Sequence, residues 1–205
     1  SKYLLFFLLL PISLYSQQNE EFLAAQHYFS NQRKLLQNEF TKKIIKESDS
    51  VKKNILIGYF GEFMHKLDSI ENRAYIATLI RVKNREDLYR LNNKNKSVLQ
   101  QENKSEIKSV KPEYPGGENS LKEKIAERFY PENLKGSSQE FSTRLNFTVN
   151  EDGSISNVDA EGLNQNFNTQ AIIATYLLPE KCRPAMLRGV PVQDDYFLTL
   201  VLGSK

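Results

Sequence analysis

Residues 140–150, EFSTRLNFTVN, alternate strictly between apolar and polar side chains. A period of two puts Phe141, Thr143, Leu145, Phe147 and Val149 on one face, and Ser142, Arg144, Asn146 and Thr148 on the other. That pattern belongs to a half-buried strand and to no helix. The NEDGS that follows (150–154) carries a Gly-containing hairpin turn, so the chain returns antiparallel. It returns through SISNVDAEG, where Ile155, Val158 and Ala160 slip phase once and predict a β-bulge. The apolar face of such a sheet has to be covered. Helices are predicted over 120–129, through Leu121, Ile125 and Phe129, and over 168–178, through Ile172, Ile173 and Tyr176 or Leu177. DDYFLTLVLG (194–203) is the last strand. The order helix, strand, strand, helix, strand predicts a compact α+β domain, with a three-stranded antiparallel sheet covered by two helices on one face.

Upstream, residues 17–91 read as helical. Phe22, Phe29, Leu36, Phe40 and Ile44 recur at spacings of about seven and four, which places them on one helix face. Glu47, Ser48, Asp49 and Ser50 offer N-cap residues for a second helix. Its stripe is Val51, Ile55, Tyr59, Phe63 and Leu67, widened by Phe60 and Met64. Gly58 and Gly61 inside it cost roughly 1 kcal/mol each against Ala, and either permit close packing or mark a break. A third helical segment over 74–91 is expected, although AYIATLIRV fits a strand as well. Residues 92–110 are polar and without sustained period, so they read as a linker or a frayed helix, and a domain boundary falls near Lys111.

Residues 1–16 have the grammar of a signal peptide: Lys2, an apolar run, Pro11, and a small Ser16 before the expected cut. Counted to Tyr15, the segment spans only about 20 Å as a helix, whereas a bilayer core needs roughly 30 Å. Export with cleavage is expected, and an uncleaved anchor would be the only membrane attachment. The single cysteine, Cys182, has no intrachain disulfide partner and is expected to be buried. With a net charge of +3 and both signs interleaved along the chain, no nucleic-acid face stands out.

One series of short motifs runs through the last part of the chain: Pro115-Gly116-Gly117, Tyr130-Pro131, Asp152-Gly153, Arg183-Pro184-Ala185 and Gly189-Val190-Pro191-Val192. In order and spacing it resembles the TonB C-terminal domain, most closely the form abundant in Bacteroidetes, over about residues 111–202. The resemblance implies a periplasmic protein-binding module. TonB is anchored in the inner membrane, is driven by the ExbB–ExbD motor, and grips an extended segment of outer-membrane transporters by strand addition. The chain departs from that pattern in several ways. No His lies in its apolar leader, it has no Pro-rich spacer, and Cys182 stands where the family commonly has Trp. A periplasmic relative that uses the binding domain without transducing energy is therefore expected.

The final strand suits that role. Tyr196, Leu198, Leu200 and Leu202 alternate with Asp195, Phe197, Thr199 and Val201, giving two largely apolar faces on a strand that must be either used or guarded. Asp194 and Asp195 are candidate guards, and Tyr196 and Phe197 candidate pocket walls. About six backbone hydrogen bonds at roughly 0.5–1.5 kcal/mol each do not exceed an association cost on the order of 4–15 kcal/mol. Side-chain pockets must therefore supply affinity.

Catalytic groups are sparse. His27 and His65 lie in the helical part and Cys182 in the other, no zinc spacing or phosphate loop appears, and a hairpin turn accounts for NEDG. A non-enzyme with no cofactor and no metal is expected. Asp49-Ser50-Val51 and Asp68-Ser69-Ile70 match an O-glycosylation acceptor pattern at Ser50 and Ser69. Alternatives left open are an envelope assembly protein acting through its helical half, a divergent anchored energy transducer, and a homodimer.

Overall fold

The computed structural model describes residues 17–97, 110–130 and 141–202. The expected leader (1–16), most of the expected linker and Pro131 lie outside them. Helix α1 (Gln17–Lys46) and helix α2 (Ser50–Ser97) form an antiparallel hairpin. The pairs Phe40–Phe60, Arg33–Asp68 and Glu21–Arg85 step in opposite directions along the two helices. Asp49 caps α2, its Oδ1 accepting from the backbone N–H of Val51 (2.8 Å) and Lys52 (3.2 Å).

Two expectations about this half need correction. The second and third helical segments are one helix of 48 residues, about 72 Å long at 1.5 Å per residue. AYIATLIRV is helical, and the helix runs on through Ser97 into the stretch expected to be linker or frayed helix. Gly58 and Gly61 neither break it nor admit a neighbour, for a Cβ at either position would meet nothing within 4 Å. Helical continuity here comes from the long run of good helix formers on both sides, against which two glycines cost little.

The remainder is α+β. Helix α3 (Gly117–Ala126) precedes strands β1 (Phe141–Val149) and β2 (Ile155–Glu161). Helix α4 (Gln165–Tyr176) follows, capped by the Asn164 side chain, which accepts from the Phe167 N–H at 2.9 Å. A short hairpin, β3 (Ala185–Leu187) and β4 (Val190–Val192), then leads to β5 (Asp194–Leu202). The main sheet has the order β2-β1-β5, antiparallel throughout, and β3-β4 forms a separate two-stranded sheet that was not expected. The phase slip in β2 is a real irregularity: the register shifts between Asn146 and Thr148, and Asn157 sits at φ 52°.

Leu145, Phe147, Leu198 and Leu200 point from the sheet onto Leu121, Ile125, Phe167, Ala171 and Tyr176. The same core takes in Phe22, Tyr75 and Val82 from the hairpin. Phe22 is fully buried, with its ring stacked 5.0 Å from Tyr176 and 6.2 Å from Tyr75. The helical half and the sheet half are thus joined through one apolar core.

Candidate partner-binding edge

All nine residues of β5 pair with β1, from Val149↔Asp194 to Phe141↔Leu202. Among the described residues no strand lies on the other side of β5. Since backbone groups alternate in direction along a strand, every second residue of β5 presents its N–H and C=O away from β1.

The opposite edge of the sheet is treated differently. Lys83 of α2 donates to the Val158 carbonyl of β2 and, at 2.9 Å, to Asp159 Oδ1. Glu86, almost fully buried, accepts the Asn157 N–H at 2.7 Å. The Tyr176 hydroxyl donates to Glu86 at 2.7 Å and accepts from the Val158 N–H at 3.2 Å. Burial, reinforced by the Glu86 charge, raises the pKa of that hydroxyl, so it stays protonated and able to donate. Side chains of α2 and α4 thereby occupy backbone groups that a foreign strand would need at β2. From Asp195 to Leu202, β5 carries no such plug among the described residues.

The side chains of β5 alternate as read from the sequence. Leu198 and Leu200 are buried, while Tyr196 and Leu202 are half-buried against the core. Asp195, Phe197, Thr199 and Val201 are exposed on the outer face, Phe197 to 62%. The two candidate pocket walls separate accordingly. Tyr196 stacks on Phe147 with centroids 5.1 Å apart and serves the core, whereas Phe197 faces solvent. Asp195 does not stand off as a guard: its carboxylate accepts from Thr148 Oγ1 at 3.0 Å, across the ladder toward β1. On the outer face Phe197 pairs with Asn146, Thr199 with Arg144 and Val201 with Ser142, which sets an apolar ring and a cationic side chain beside the open edge.

The motif residues build the frame, part of which sits against the start of β5: α3 packs on β5, and burial, together with the charges of Glu118, Cys182 and Glu113, raises the Tyr196 pKa. Gly116 and Gly117, at φ 81° and 80°, make the turn after Pro115 that starts α3. The Tyr130 N–H donates to Gln170 Oε1 at 3.1 Å. Asp152 Oδ1 accepts from the Ser154 N–H at 3.0 Å and Oδ2 from Lys181 at 2.8 Å, which closes the β1–β2 turn. Gly153 packs directly on the Cys182 backbone, accepting its N–H at 2.9 Å. Cys182 is buried, and burial pushes its thiol pKa up to about 12. Arg183 exchanges backbone hydrogen bonds with Glu113 and pairs with its carboxylate at 3.1 Å, with Pro184 next in the chain. Arg188 and Gly189, both at positive φ, turn β3 into β4, which contains Pro191. Positive φ at both turn residues is the type I′ geometry of a two-residue hairpin, for which Gly189 was the one sequence signal, Arg188 being an uncommon residue there.

Elsewhere, Ser50 begins α2 and Ser69 sits half-buried within it. His27 is exposed on α1 and Cys182 is buried in the other half. No group of three or more His, Cys, Asp or Glu among the described residues is placed to hold a metal. None of the described helices is long and apolar enough to cross a membrane. A cleft of about 670 Å³ lies between the helical hairpin on one side and α4 with residues 127–130, which follow α3, on the other. Its charged lining is largely engaged internally: Arg33 holds Asp68 and Glu71, and Tyr75 donates to Glu71 at 2.7 Å. Against protein-family models, curated proteins and solved structures, the chain finds no match.

Proposed function

We propose that this protein captures an extended segment of another envelope protein by adding it as a strand to the open edge of β5. It acts by binding, without catalysis, in the periplasm, as a relative of the TonB C-terminal domain. The outer-membrane transporters that this resemblance implies are the first candidate partners, and support of transport across the envelope is the corresponding role.

One observation carries the reading. The two edges of the same sheet are handled in opposite ways, with β2 plugged by Lys83, Glu86 and Tyr176 and no further strand beyond β5 among the described residues. A protein with no use for an edge blunts it. In strand addition, backbone pairing gives generic affinity and alternate side chains give selectivity. Here the selective surface is Phe197, Thr199 and Val201 with Arg144 behind them, so segments with an apolar residue opposite Phe197 and an acidic or polar one near Arg144 are favoured.

Titration of isotope-labelled protein with a panel of extended peptides, TonB boxes included, is expected to shift backbone amides from Asp195 to Leu202 and to leave Asn157 and Val158 unmoved. Phe197→Ala should weaken binding about tenfold, in keeping with the loss of an aromatic contact at a strand pair. Peptide-induced shifts confined to residues outside β5, or none at all, defeat the proposal.

A further inference from the structure

The apolar stripe of α2 is divided in a way that periodicity did not foretell. Leu67 is buried, and Phe60 turns toward α1, its ring 4.1 Å from Phe40. Ile55, Tyr59 and Phe63, with Ile70 further along, remain between 48% and 65% exposed. At 100° per residue these four side chains fall within about 80° of one another around the helix, so they form one continuous row. Beside the row, Leu36 and Phe40 of α1 complete a groove of about 240 Å³ with Tyr59, Phe60 and Phe63. Isolated exposed apolar residues are ordinary, but a row of them along a groove marks a surface meant to be covered.

We infer that this face is covered by a second copy of the same chain, the two hairpins packing into a four-helix bundle. Self-complementary charge points to a copy of the chain rather than to a different partner. The groove is bordered by Glu39 and Lys43, one turn apart on α1, with Glu39 held within its own helix by the exposed Lys42 at 2.6 Å, a surface pair that can be exchanged. A two-fold axis running beside α1, level with the midpoint between Glu39 and Lys43, sets the second copy's α1 antiparallel to the first, so each Lys43 meets Glu39 of the second copy and the contact closes on itself. Size agrees. With roughly half of each side chain uncovered, the row leaves on the order of 100 Å² per residue, given 150–250 Å² for a whole aromatic side chain. The resulting total of about 400 Å² per copy matches the apolar share of the roughly 800 Å² that each partner buries in a standard interface. Two antiparallel helix pairs joined through such a face are the ordinary route to a four-helix bundle. The inference is independent of strand capture, since the face belongs to α1 and α2 and the edge to β5.

Sedimentation of the purified full chain over a range of concentrations tests it. A reversible monomer–dimer equilibrium is expected. Tyr59→Glu should raise the dissociation constant by at least about 30-fold, the effect of losing one aromatic anchor, while circular dichroism, and the melting temperature at concentrations where both proteins are monomeric, stay as in the wild type. Lys43→Glu alone should weaken the dimer, and Glu39→Lys combined with Lys43→Glu should restore it, with helical circular dichroism equal in all three, which separates the contact between copies from the i,i+4 pair within α1. A chain that stays monomeric throughout overturns the inference. So does a dimer indifferent to Tyr59→Glu, or charge variants that show no rescue.

Discussion

At Gly153 the backbone stands at φ 81°, and a Cβ built there would lie 2.2 Å from the Cys182 carbonyl oxygen. The conformation alone costs an L-residue about 1–2 kcal/mol, and the collision is with backbone that is itself hydrogen-bonded to Gly153. Gly153→Ala is therefore expected to destabilise the fold by more than about 2 kcal/mol, read as a lowered urea midpoint. Gly58 is under no such constraint, with open space around it in a helix interior. Gly58→Ala should stabilise by about 0.5–1 kcal/mol in the same titration. A destabilised Gly58→Ala would mean that something packs on that side of α2. Asp152-Gly153 was legible in the sequence as a turn. That Gly153 lies under Cys182 was not, because the closeness of the β1–β2 turn to the chain after α4 is set by tertiary packing.

Among the elements, β1 was the most legible and α2 the least. Strict alternation fixes both the type and the buried face of a strand, and Phe141 to Val149 follow it. The β3–β4 hairpin was missed because three-residue strands carry too little pattern, and Pro191 argued against one of them. On α2, two overlapping apolar faces share one helix, and spacing cannot tell which of them α1 will cover. The plug on β2 was invisible for a different reason: Glu86 and Asn157 stand 71 positions apart, and neither is marked by its neighbours. Its importance is nonetheless measurable. Glu86→Ala strips acceptors from the Asn157 N–H and the Tyr176 hydroxyl in a buried setting. A loss of about 2–3 kcal/mol is expected, with most of it regained in Glu86→Gln, which keeps an acceptor oxygen. Because the variant also frees the β2 edge, light scattering should show association at concentrations where the wild type shows none. Unchanged stability in Glu86→Ala would mean that water replaces the carboxylate and that the edge is not truly closed.

For the whole molecule, composition and punctuation drew a line near Lys111 between a helical half and an α+β half. Helix α2 lies on one side of that line and α3 with the sheet on the other, and one core takes residues from both. Phe22, at the start of α1, is fully buried between Tyr75 of α2 and Tyr176 of α4, and it belongs to the same cluster as Leu145 and Phe147 of the sheet. This joint matters for the proposed function, because α2 can plug β2 only while it is held against the sheet, and the difference between the two edges rests on that plug. If the halves share one core energetically, removing the Phe22 ring has to be felt in both. Phe22→Ala is expected to cost about 3–5 kcal/mol, as for a fully buried aromatic side chain. The loss should appear to the same extent in helical circular dichroism and in the exchange protection of the Leu145 and Phe147 amides, both giving one shared transition in urea. If the β1 amides keep their wild-type protection while the helices melt early, the halves are separate folding units, and the closure of the β2 edge becomes a contact that each can lose without the other.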